Sequence, residues 1–141
     1  MNRYRFEEIE IGMEESFEVK VTSEMMELFF TITSDSNPLH TDEAFARRKG
    51  YASRISYGML TASFLSTLAG VYMPGERSLI HSVETKFVKP VYPEDVLKIC
   101  GVVAEKNELF SMIKLKVTVT NQNHEKVLRG TMQIGVLADG E

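Results

Sequence analysis

The chain has 141 residues with 43% hydrophobic and 26% charged side chains, the balance of one compact domain and not of a disordered or membrane-embedded polypeptide. Its 16 basic and 20 acidic residues leave a net charge of −4, without the cationic surplus that contact with a phosphate backbone draws on, so no nucleic-acid partner is expected. The lone cysteine, Cys100, forbids an intrachain disulfide, the N-terminal segment is too acidic for the apolar core of a signal peptide, and no stretch nears the roughly 20 apolar residues of a membrane span. A cytoplasmic protein with no membrane association is expected.

No block of Gly, Ser or Pro and no internal repeat divides residues 1–141, which read as a single domain. Residues 16–21 place Phe17, Val19 and Val21 on one face and Ser16, Glu18 and Lys20 on the other, the pattern of a half-buried strand. Thr22 or Ser23 then caps a helix whose apolar stripe is Met25, Leu28, Phe29 and Ile32, and which ends near Ser34 or Asp35 because Pro38 cannot continue it. A short helix is expected over Asp42 to Arg48. Residues 58–72 carry Met59, Leu60, Phe64, Leu65, Leu68 and Val71 all round the helix, which predicts burial on most sides. The small residues between them, Ala62, Ser63 and Ser66 among others, are expected to let a sheet approach closely. Four strands follow at 79–91, 96–103, 112–120 and 127–136, the last two alternating cleanly, with turns near 105–108 and 121–125. The order predicts an α+β domain built on an antiparallel sheet with one buried helix.

Several chemical motifs fail on context. Ser111 and Lys114 fit a Ser-x-x-Lys spacing but sit in a period-two strand, where they cannot share a helical face. Asp35-Ser-Asn37 opens like a calcium loop, yet Leu39 and His40 stand where a ligand and a turn glycine are required. His40, His81 and His124 are widely spaced and lack the companions of a zinc site, and no glycine-rich phosphate loop is present. No metal or cofactor is expected.

Two features remain. In Asp35-Ser-Asn37-Pro38-Leu39-His40 a carboxylate at a helix end and an imidazole just past a turn can face one small space, offering two groups of different intrinsic pKa for proton removal and delivery. Ordinary turn chemistry, with the histidine satisfying backbone groups, is the alternative, and spacing alone favours it. At Tyr57-Gly58-Met59-Leu60 the first N–H groups of the long helix lack internal partners, and a residue without a side chain leaves them open. A carbonyl oxygen gaining negative charge there would be stabilised by about 3 to 4 kcal/mol if well aligned. A packing or turn role for Gly58 is the alternative.

The sequence as a whole, Asp35-Ser-Asn37-Pro38-Leu39-His40 followed by Asp42, then Gly58-Met59-Leu60 with Ala62, Ser63 and Ser66, Pro74-Gly75, and Phe87-Val88-Lys89-Pro90-Val91 with Asp95, closely resembles the MaoC-like dehydratases and (R)-specific enoyl-CoA hydratases. The resemblance runs from about Phe6 to Val136. It implies a hot-dog fold, in which an antiparallel sheet wraps a central helix, and a homodimer or higher homo-oligomer with acyl-thioester sites at the interface. It implies that Asp35 and His40 orient water and move protons, that the Gly58 backbone N–H receives the thioester carbonyl, and that Asn37, Tyr57 and Ser66 belong to the site surroundings. The implied reaction is reversible addition of water to a trans-2-enoyl thioester, giving the (R)-3-hydroxyacyl thioester, on coenzyme A or an acyl carrier protein. Many relatives have histidine where this chain has Tyr57. A dehydratase for a specialised hydroxyacyl substrate, a hot-dog thioesterase and a noncatalytic acyl-binding subunit are the competing readings.

Overall fold

The computed structural model describes residues 1–140. After a short 3₁₀ turn at Phe6–Glu8, the chain forms β1 (Glu14–Lys20), α1 (Ser23–Thr33), α2 (Pro38–Thr41), α3 (Glu43–Arg48), α4 (Gly58–Thr67), β2 (Ser78–Phe87), β3 (Val96–Asn107), β4 (Met112–Thr120) and β5 (Lys126–Val136). The five strands make one antiparallel sheet in the order β1-β3-β4-β5-β2. Tight turns join β3 to β4 and β4 to β5, so these neighbours in sequence are neighbours in space, as short antiparallel connections require. The two flanking strands are placed by long-range pairing: β1 on β3, with Phe17 opposite Ile99, and β2 on β5, with Phe87 opposite Leu128.

The core is the inward face of the sheet. Leu97, Ile99, Leu115, Val119, Leu128, Met132 and Ile134 are fully buried, and each such side chain contributes roughly 1.5–3 kcal/mol by leaving water. Cross-strand pairs set these layers: Val103 opposite Leu115, Leu115 opposite Met132, Val119 opposite Leu128. Against them lies α4, which runs on through one π turn over Leu68–Tyr72, so the helical segment spans 58–72 as its composition predicts. Leu60, Thr61, Leu65, Leu68 and Ala69 are its buried residues.

Three expectations need correction. First, the helix is covered on most sides as expected, but Met59 is not part of that burial: it is 63% exposed, and Ser63 and Ser66 on the same face are exposed, because this one face borders an open cleft. Second, the close approach of helix and sheet is shared by both elements: Gly58 lets Phe87 of β2 come against the helix start and Ala69 is fully buried, as expected, but Ser63 and Ser66 lie on the exposed face. The strand contributes Gly101 of β3, where a Cβ would stand 3.0 Å from Leu68 Cδ2 and 3.4 Å from Leu115 Cδ1. Third, the stripe on α1 is narrower than predicted. Met25, Met26 and Phe29 pack against the core, whereas Leu28 and Ile32, one step round the helix, are exposed at 58% and 80%. Its caps are as the sequence suggests, with Thr22 Oγ1 accepting the Met25 N–H at 3.1 Å and Ser34 closing the helix in the left-handed region at φ 58°. The turn α2 is an addition, and α3 lies within the expected Asp42 to Arg48 segment, with Asp42 as its cap.

Candidate active site

The segment 34–40 folds by side-chain capping. Thr33 Oγ1 accepts the Asp35 N–H at 3.2 Å, Asp35 Oδ1 accepts the Asn37 N–H at 3.1 Å, and Asn37 Oδ1 accepts the Leu39 N–H at 3.0 Å. The last bond caps α2, and Pro38, with its φ already fixed, occupies the first helical turn. Asn37 is therefore the residue that turns the chain so that His40 follows Asp35 round the corner. It is exposed and does not line the cleft described below.

His40 is held by its ring. Nδ1 lies 2.8 Å from the Ile55 carbonyl oxygen. A carbonyl only accepts, so the proton sits on Nδ1, and in the neutral ring Nε2 keeps its lone pair. The imidazole leans on the Tyr57 ring with centroids 4.2 Å apart. Tyr57 is 2% exposed, touches Phe29 of α1 at 4.9 Å, and its hydroxyl donates to the backbone carbonyl of Asp35 at 2.9 Å. Burial pushes the phenol above its ordinary pKa; the Asp35 charge adds to this and the Arg54 guanidinium works against it. Arg54 Nη1 also donates to the His40 carbonyl at 3.4 Å.

Asp35, His40, Tyr57 and Gly58 all line one open cleft of about 680 Å³. Gly58 is the first residue of α4, so its N–H and that of Met59 are not used within the helix. A Cβ on Gly58 would meet the Phe87 ring of β2 at 3.0 and 3.1 Å, so the aromatic wall comes within contact of this backbone only because no side chain intervenes. A second, smaller cavity of about 260 Å³ lies beyond His40, Gly58 and Phe87, so these three form the partition between the two spaces. Ser66 is exposed on α4 and is not a lining residue; Ser63, one turn nearer the helix start, lines the cleft and donates to the Leu60 carbonyl at 2.6 Å. The spacing of four from Met59 to Ser63 places both on one helical face, a signal available in the sequence. Nothing in local periodicity points to Phe87, which is exposed and reaches the cleft only through the pairing of β2 with β5.

Among the described residues no group of three or more His, Cys, Asp or Glu side chains is placed to hold a metal ion. His81 lies on β2 and His124 in the β4–β5 turn, apart from His40. No helix among the described residues is long and apolar enough to cross a membrane.

A five-stranded antiparallel sheet packed on a long helix is the architecture of the hot-dog class. The same architecture is found in R-hydratase PhaJ1 from Pseudomonas aeruginosa, with TM-score 0.88 and 26% identity over 97% of this chain and 93% of that one. The (R)-hydratase from A. caviae involved in PHA biosynthesis matches with TM-score 0.87 and 26% identity, over 92% of this chain and 98% of that one. Within that class, the family model of the MaoC like domain matches residues 6–125, and the chain belongs to the MaoC-like dehydratase family. The (R)-specific enoyl-CoA hydratase of Rhodospirillum rubrum is 30% identical over 139 residues, 96% of this chain and 93% of that protein. The 3-hydroxybutyryl-CoA dehydratase of Methylorubrum extorquens is 34% identical over 100 residues, which span 71% of this chain and 64% of that protein's length.

Proposed function

We propose that the protein is a hydro-lyase that adds water reversibly to a trans-2-enoyl thioester of coenzyme A, giving the (R)-3-hydroxyacyl thioester. The observation that carries the reading is the shared cleft. An imidazole with Nδ1 committed to Ile55, a carboxylate at Asp35 and the unpaired amide of Gly58 all border one space. The MaoC-like relatives named as hydratases and dehydratases support the same chemistry.

With Nδ1 donating to Ile55, His40 Nε2 can accept a hydrogen bond, as can the Asp35 carboxylate. A water donating one O–H to each turns its lone pairs outward, toward the β-carbon of a bound enoyl group. As the oxygen forms its bond to that carbon, one water proton passes to the base and the C2=C3 pair moves into the conjugated system, leaving negative charge on the thioester oxygen. The Gly58 N–H, at the positive end of α4, stabilises that charge where it develops. Protonation at C2 by the acid form of the pair restores the carbonyl, and no other reactant is consumed. General acid–base action of this kind typically supplies about 10²- to 10⁴-fold.

The proposal includes a homodimer. Strand β2 ends the sheet with one row of backbone groups unpaired, and Leu79, Val83 and Phe87 along it are half-exposed, the condition of an edge that another strand covers. Phe87 also walls the cleft, so a partner on this edge would stand at its mouth. A cytoplasmic setting, where a lone thiol stays reduced, is part of the same proposal.

Purified protein incubated with crotonyl-CoA is expected to consume the enoyl absorbance and give (R)-3-hydroxybutyryl-CoA on chiral chromatography. Release of free coenzyme A would establish a thioesterase instead. Turnover of only carrier-protein thioesters would move the substrate to that class, and no turnover of either would leave an acyl-binding subunit.

A further inference from the structure

The buried hydroxyl of Tyr57 has no part in the proton transfers above, yet it makes a bond to the segment that performs them. We infer that Tyr57 is a positioning residue: its hydroxyl on the Asp35 carbonyl and its ring against His40 fix the two proton-handling groups relative to each other and to the Gly58 amide. The inference rests on the acid–base reading just given.

The case begins with how weakly Asp35 is otherwise held. It is exposed, follows a left-handed residue at Ser34, and its other bonds go to Thr33 and Asn37, inside its own turn. Those bonds shape the turn but do not locate it against the rest of the site. His40 is better secured. The Ile55 N–H donates to the Leu39 carbonyl at 3.0 Å, the His40 ring donates to the Ile55 carbonyl, and Arg54 donates to the His40 carbonyl. The stretch Arg54 to Tyr57 therefore acts as a template on which the catalytic segment lies. Its first two residues grip the histidine end and Tyr57 grips the aspartate end at 2.9 Å.

The template is itself anchored. Ser56 N–H donates to the Val91 carbonyl at 2.6 Å, and Tyr57 is the residue directly before the first turn of α4, so the template and the Gly58 amide move as one piece. The Tyr57 ring fills the angle between Phe29 of α1 and His40 of α2 and is 2% exposed. Burial and the nearby Asp35 charge keep the phenol protonated, so it remains a donor across the neutral range. A phenylalanine at this position would keep the ring contacts and delete only the bond to Asp35. Because misplacement of a reacting group by about 1 Å can cost on the order of 10²-fold in rate, the loss of a single tie should be visible in turnover.

The test is a kinetic cycle on the intact protein with crotonyl-CoA. Tyr57→Phe is expected to lower kcat about 10- to 100-fold while KM changes less than about 2-fold and the melting temperature stays within a few degrees, since a positioning defect appears in the chemical step. In an Asp35→Asn background the same substitution is expected to cost less than about 2-fold further, because groups acting through one another are not additive. Wild-type kcat in Tyr57→Phe overturns the inference, as does an equal loss in both backgrounds, which would mean that the hydroxyl acts independently of Asp35. Wild-type turnover in Asp35→Asn alone would instead refute the acid–base reading on which the inference stands.

Discussion

Replacing Gly58 with alanine separates packing from chemistry at the helix start. The backbone at Gly58 is not in the left-handed region, so alanine adopts it without strain. The added methyl would meet Phe87 Cε1 at 3.0 Å and Cδ1 at 3.1 Å, a few tenths of an ångström inside ordinary contact. Phe87 is 52% exposed at the end of an edge strand and can swing outward, while alanine gains at most about 1 kcal/mol over glycine in helix propensity. The two effects oppose each other, and net stability is expected to stay within about 1 kcal/mol, a melting shift of only a few degrees. Activity has no such compensation. The methyl would stand beside the amide proposed to hold the thioester oxygen, and losing such a donor costs about 3 to 4 kcal/mol, on the order of 10²- to 10³-fold. Turnover of crotonyl-CoA should therefore fall at least about 10²-fold in a protein that melts near the wild-type temperature. Full activity would show that the carbonyl is not held at this amide, and a large loss of stability would assign the glycine to packing.

Asp35→Asn and His40→Ala are each expected to lower turnover by at least about 10²-fold with the far-ultraviolet circular dichroism unchanged; a wild-type rate in either would refute the acid–base pair, and in both would reject the site. Gly101→Ala should behave oppositely to Gly58→Ala, because its methyl would press on the fully buried Leu68 and Leu115, an overpacking that costs about 1–3 kcal/mol in a denaturant titration, and an unchanged midpoint would contradict the packing described. Burial first, and then its bond to Glu14, push the Cys100 thiol up to about 11. At pH 8 only about one thiol in a thousand is then ionised, and alkylation by iodoacetamide should be slow and still accelerating above pH 9; rapid labelling at pH 7 would count against that environment. Sedimentation is expected to show a dimer, which Val83→Lys on the exposed face of β2 should weaken, whereas a stable, active monomer would remove the edge from the proposal.

The sequence determined by itself whatever depends on near neighbours. The alternation of Ile113, Leu115, Val117 and Val119 defines β4, the even apolar spread over 58–72 defines the long helix, and Asp35 to His40 shows a turn flanked by a carboxylate and an imidazole. Each is a matter of two- or four-residue spacing, which backbone geometry imposes on any chain. Tertiary structure decided what lies across the long gaps. Leu28 and Ile32 share the helical period of Met25 and Phe29, and only the position of α1 on the body leaves them in solvent. Tyr57 reaches Asp35 across 22 residues and His40 reaches Ile55 across 15, while Phe87 meets Gly58 only because β2 pairs with β5. A local pattern cannot encode such meetings, since they follow from how whole elements pack, and it is packing that brings the residues flanking an ordinary Asn-Pro turn to one cleft.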